Sequence, residues 1–117
     1  MLDHARLQSV AEQLLRRTEV VMEGRKSRVT RTGSRRFRTV CFLMGGREYQ
    51  AIEQNPEKPS RWGKLAAEGH SVVQFRDLLT QKYVGVAVDG KIIEYGRQSA
   101  DGGARPARTY PDRRSRD

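Results

Sequence analysis

The run Gly85-Val86-Ala87-Val88-Asp89-Gly90-Lys91 has the glycine and lysine spacing of a phosphate-binding loop. The match fails at Ile92, where a magnesium-ligating Ser or Thr is required. Such a loop must also open a helix whose amides cradle the phosphates, whereas a strand pattern follows here. Asp89-Gly90 reads instead as a hairpin turn. The other residues with chemical potential are scattered. His4 and His70 fall at a chain end and in a turn, without a nucleophile or acid at a recognisable spacing. Asp77, Asp89 and Glu94 fall at turn or strand-edge positions, where a solvated carboxylate is the ordinary outcome. Cys41 is the single cysteine, so it has no disulfide or metal-ligand partner, and it is expected to be a buried hydrophobe in a strand. Lys82 to Val88 supplies only Tyr83 where strands that stack RNA bases carry aromatics at alternate positions. No catalytic residue, metal site or cofactor is predicted, and the expectation is a protein that is not an enzyme.

Positive charge is the informative signal. The chain has 117 residues and a formal net charge of +9. Between residues 24 and 50 stand Arg25, Lys26, Arg28, Arg31, Arg35, Arg36, Arg38 and Arg47, against Glu48 alone. Residues 97–117 add six Arg, while residues 51–95 are balanced. Arginine dominates the cluster, and its planar fork suits bidentate contact with phosphate or carboxylate. Arg36 and Arg38 flank Phe37, and alternate strand positions share a face. Arg25, Lys26, Arg28, Arg31, Arg35, Arg36 and Arg38 are therefore the expected nucleic-acid-binding residues, reaching phosphates without strong sequence preference. The same cluster would also suit an acidic protein partner, and Arg38 is placed to pair with Glu53.

The elements that position these residues follow from periodicity. Leu7, Val10, Leu14 and Val21, widened by Ala11, Leu15 and Met22, predict an amphipathic helix over residues 2–23, within a helical segment 1–24. Asp3 is its N-cap and Gly24 its stop. Residues 25–35 then form a basic arm. Two strands, 36–44 and 47–54, meet at Gly45-Gly46 in a tight hairpin. That register sets Met44 opposite Arg47, Phe42 opposite Tyr49, Val40 opposite Ala51 and Arg38 opposite Glu53. Pro56 and Pro59 mark a loop, and Ser60 caps a short helix from Arg61 to Glu68, anchored by Trp62 and ended by Gly69. A meander of 71–76, 82–88 and 91–95 follows, with Val86 opposite Ile93 and Val84 opposite Tyr95. Tyr83, Gly85, Ala87, Ile92 and Glu94 form its less apolar, partly solvated face.

The expected architecture is α+β, in the order α-β-β-α-β-β-β. The N-terminal and middle helices pack on an antiparallel sheet of about five strands. Residues 1–96 form one domain, and 97–117 a disordered Arg-rich tail that buries too little to offset its ordering entropy. Asp3, His4, Arg6, Gln8, Glu12 and Gln13 interrupt any apolar N-terminal run, so neither a signal peptide nor a membrane span is expected and a cytoplasmic location is. Two functions fit. One is a small binding module for nucleic-acid phosphates, with DNA and RNA undistinguished. The other is an adaptor that docks a protein partner, or a second copy as a homodimer, through the N-terminal helix or the sheet face bearing Phe42 and Tyr49.

Overall fold

Asp3 has extended backbone and its carboxylate accepts from the Arg6 N–H, so α1 (His4–Arg16) starts at the expected cap. The computed structural model describes residues 2–32 and 37–95. Leu7, Val10, Ala11 and Leu14 form the buried stripe of α1. The helix ends seven residues before the periodicity predicts. Arg17 is already extended (φ −127°, ψ 167°), and Glu19–Met22 forms a strand, β1. Thr18, Val20 and Val21 are β-branched and favour a pleated strand over a helix. Glu23 and Gly24 take φ of 52° and 77°, the geometry of a two-residue primed turn. Gly24 thus turns a hairpin and does not stop a helix. A helical stripe through 21 and 22 and a strand alternation at 20 and 22 use overlapping residues, so spacing alone does not separate them.

The described part of the predicted basic arm, residues 25–32, is also strand on either side of Val29. β2 (Arg25–Arg28) pairs antiparallel with β1, and β3 (Thr30–Thr32) pairs with the start of β4 (Phe37–Met44). Between them Val29 packs half-buried against the core, and its N–H donates to the Thr18 carbonyl at 2.9 Å. The remaining elements are β5 (Arg47–Glu53), α2 (Arg61–Ala67), β6 (Val72–Asp77), β7 (Lys82–Val88) and β8 (Lys91–Glu94). β3 to β8 form a six-stranded antiparallel meander in chain order, and β1 and β2 a separate two-stranded ribbon. The α+β class stands, with eight strands among the described residues in place of about five. Gly45-Gly46 and Asp89-Gly90 both turn with positive φ, as their hairpins require. The β4–β5 register places Met44 on Arg47, Phe42 on Tyr49 and Val40 on Ala51 as predicted.

α1 lies across one sheet face. Its stripe meets Val40, Phe42, Met44, Tyr49, Ala51, Val73, Phe75 and Ala87, and the ribbon adds Val20 and Met22. Phe42 stacks on Tyr49 (5.8 Å between centroids) and meets Phe75 edge-on (6.3 Å). On the opposite face, α2 packs against β6 and its Trp62 ring lies 6.3 Å from Tyr95. Ser60 caps α2 through the Gly63 N–H, and Gly63 is held so close to the loop that a Cβ would sit 2.1 Å from the Lys58 carbonyl oxygen. A register shift opposite Phe75 and Arg76 gives Val84 no partner on β6, since Phe75 pairs with Gly85 and Arg76 with Tyr83. The bulge reverses the side of Tyr83 relative to Gly85 and Ala87. Ala87 is therefore buried under α1 and not partly solvated, while Tyr83 stands on the open face.

Candidate nucleic-acid interface

Residues 25 to 31 run as a strand that changes pairing partner at Val29, from β1 to β4. In the ribbon, Val20 and Met22 point into the core, so their partners Ser27 and Arg25 lie on the inner side. Lys26 and Arg28, opposite Val21 and Glu19, face outward. Arg31 follows on β3, the edge strand of the large sheet. All four cations are exposed, and among the described residues none has an ion-pair partner. Arg25 and Lys26 rim a cleft of about 420 Å³ where β2 meets the free upper edge of β4, beside Cys41, Leu43 and Glu48.

Four other arginines meet carboxylates, while Arg17, at the end of α1, is exposed with no ion pair among the described residues. Arg6 pairs with Asp3 and Glu23, Arg16 with Glu12, and Arg47 with Asp77. Arg38, predicted both as a phosphate ligand and as the partner of Glu53, is committed to the second role. Its Nε donates to Glu53 Oε1 at 3.1 Å and its Nη1 to the Leu15 carbonyl at the end of α1. Arg31 lies directly opposite Arg38 on the neighbouring strand. Two like charges there would repel, and the Glu53 carboxylate offsets that repulsion. Arg35 and Arg36 lie outside the described residues, as does the tail 97–117.

The open sheet face is the surface that sequence reading missed. Thr39, Cys41, Gln50, Gln74, Arg76 and Tyr83 share it, and a row of hydrogen bonds joins Arg76, Gln50 and Thr39. Arg76 Nη2 donates to Gln50 Oε1 (2.8 Å), Gln50 Nε2 to Thr39 Oγ1 (3.0 Å), and Thr39 Oγ1 to the Ala51 carbonyl (3.0 Å). Cys41 is exposed here and not buried as predicted, because odd-numbered β4 residues point away from α1. Its thiol pKa is nevertheless raised, first by partial burial and then by Glu48, with Arg76 opposing. Arg76 Nε is buried without a hydrogen-bond partner among the described residues. The signal for this face was present as Phe37 and Tyr83, but only the bulge at Val84 shows that they point the same way.

The surfaces expected to receive a protein partner, the α1 stripe and Phe42 with Tyr49, are buried against each other. Each histidine meets one carboxylate: His4 Nε2 lies 2.5 Å from Glu94 and His70 Nδ1 lies 2.6 Å from Asp89. These contacts tie α1 to β8 and the approach to β6 to the β7–β8 turn. Among the described residues no three His, Cys, Asp or Glu are placed to hold a metal ion, and no helix is long and apolar enough to cross a membrane. Comparison with protein families, curated proteins and solved structures finds no match for the chain.

Proposed function

We propose that this protein is a small binding module that holds nucleic-acid phosphates along the strand running from Arg25 to Thr32, without strong sequence preference. One observation carries the reading: Arg25, Lys26, Arg28 and Arg31 stand exposed and without an ion-pair partner among the described residues, on a strand without an acidic residue, while Arg6, Arg16, Arg38 and Arg47 each meet a carboxylate. A strand fixed by pairing on both sides of Val29 presents those cations with less ordering cost than a free arm would. Arg35 and Arg36 continue the same charge in sequence.

Fluorescence anisotropy with labelled oligonucleotides across a salt series tests this. Affinity should fall steeply with salt, because each neutralised phosphate contributes about 0.7–0.9 to the slope of log K against log salt. Replacing Arg25, Lys26, Arg28 and Arg31 together by Gln should reduce that slope by roughly 3. Absence of binding to single- and double-stranded DNA and RNA at low salt overturns the reading.

A further inference from the structure

On the open sheet face, Phe37, Ile52, Gln74 and Tyr83 line a groove of about 480 Å³, closed at one end by the loop carrying Asn55 and Lys58. That volume is within the range of ligand sites. The groove combines two aromatic side walls, an apolar floor at Ile52, and amides with unused capacity. Gln74 donates through Nε2 to Gln54, and its carbonyl oxygen accepts no hydrogen bond among the described residues. Asn55 uses Oδ1 to accept from the Glu57 N–H, leaving its side-chain NH₂ to point elsewhere. Lys58 supplies a cation at the rim. The acid in the lining, Glu53, is neutralised by Arg38. The groove adjoins the end of the basic strand, because Phe37 is the cross-strand partner of Thr32, while Arg31, opposite Arg38, presents its side chain on the other side of that sheet edge.

We infer that this groove takes one unpaired base of a single-stranded nucleic acid whose backbone lies on the Arg25–Thr32 strand. The ring stacks on Tyr83, and its edge meets the Gln74 carbonyl and the Asn55 amide. The inference rests on the phosphate-binding reading above and adds a strand preference to it. A base paired in a duplex has its faces covered by neighbours and cannot enter, whereas any base of a single strand presents a free face for stacking.

The test uses the full chain with a labelled 12-nucleotide single strand and a duplex of equal length at matched salt. The single strand should bind more tightly. Tyr83→Leu should weaken single-strand binding by about 5- to 150-fold, the range for losing one stacked base, and leave duplex binding and the salt slope unchanged. Tyr83→Phe should bind as the unaltered protein does, and thermal melts of both variants establish that each is folded. If Tyr83→Leu binds the single strand normally, or loses both ligands equally, the groove does not hold a base. In that case, loss of binding in the Arg25/Lys26/Arg28/Arg31 variant still supports the basic strand. If free mononucleotides compete as well as the oligonucleotide, the groove is a small-molecule site and the inference falls. If neither oligonucleotide binds at low salt, the phosphate reading fails and takes this one with it.

Discussion

Gln13 grips the backbone of Val21 on both sides: its Oε1 accepts the Val21 N–H at 2.8 Å and its Nε2 donates to the Val21 carbonyl at 3.2 Å. A single helix side chain thereby takes the place of a neighbouring strand along the outer edge of β1. The contact spans the point where the chain leaves α1 and turns into the ribbon. Gln13→Ala should cost about 1 kcal/mol, since water can replace part of what is lost at this exposed edge. Hydrogen exchange should show the Val21 amide losing protection ahead of the sheet core. Unchanged protection at Val21 would mean that the ribbon is held by its β2 pairing alone.

Elements whose local signals agree were legible in the sequence. Gly45-Gly46 and Asp89-Gly90, each flanked by alternating apolar residues, determine both turn and register, and Ser60 with Gly69 brackets α2. The stretch 17–32 was not legible, because its strand character depends on pairing between β1, β2 and β4. Val20, Val21 and Met22 satisfy a helical and a strand pattern at once, and only Glu23-Gly24 at positive φ decides between them. The same holds for the site. Charge clustering singled out Arg25 to Arg31 as candidates from composition, but the commitment of Arg38 to Leu15 depends on where α1 stops. That Phe37 and Tyr83 line one groove depends on one unpaired residue in β7, a long-range register that no local pattern encodes.

Acid should unfold the protein through two specific carboxylates. Asp77 is buried, which alone would raise its pKa. The Arg47 hydrogen bond at 2.7 Å and the Leu79 and Thr80 N–H donors outweigh burial and hold it below the ordinary value of 3.8. Asp89 is also lowered, first by its hydrogen bond to His70 and then by the Ser71 N–H. A carboxylate with a depressed folded-state pKa stabilises fully above its unfolded value. That contribution begins to fall as pH drops to 3.8 and is gone below the folded values. Chemical denaturation at pH 7 and pH 3 should show a stability loss that is smaller in Asp77→Asn, which is already weakened at neutral pH. An equal loss in the variant would place the acid sensitivity elsewhere.

Cys41 should be accessible yet slow. It is exposed on the open face, but partial burial and then Glu48 raise its pKa, and the nucleophile is the thiolate. At pH 7.5 iodoacetamide should label it completely but more slowly than a cysteine in an unstructured peptide. Glu48→Gln should speed the reaction by removing a nearby negative charge. Arg76→Gln should slow it, because Arg76 opposes the shift. A rate that matches the free peptide would show that the sheet face does not perturb the thiol.

Arg38 separates the structural from the functional use of the basic cluster. It is half-buried, its guanidinium holds Glu53 from two nitrogens, and Nη1 closes the end of α1 through the Leu15 carbonyl. Removing the guanidinium leaves the half-buried Glu53 carboxylate with only the Arg38 backbone N–H, and the Leu15 carbonyl without its side-chain donor. Arg38→Gln should therefore cost about 1–3 kcal/mol in denaturant unfolding. The same variant should keep the salt slope of nucleic-acid binding, because a guanidinium already engaged by Glu53 releases few counterions. Arg28→Gln should do the reverse, with stability within about 0.5 kcal/mol of the unaltered protein, as expected for an exposed side chain, and a slope lower by about 0.7–0.9. A slope that falls as much in Arg38→Gln as in Arg28→Gln would show that Arg38 leaves Glu53 to reach phosphate. The binding surface would then extend from the edge strand across to the end of α1.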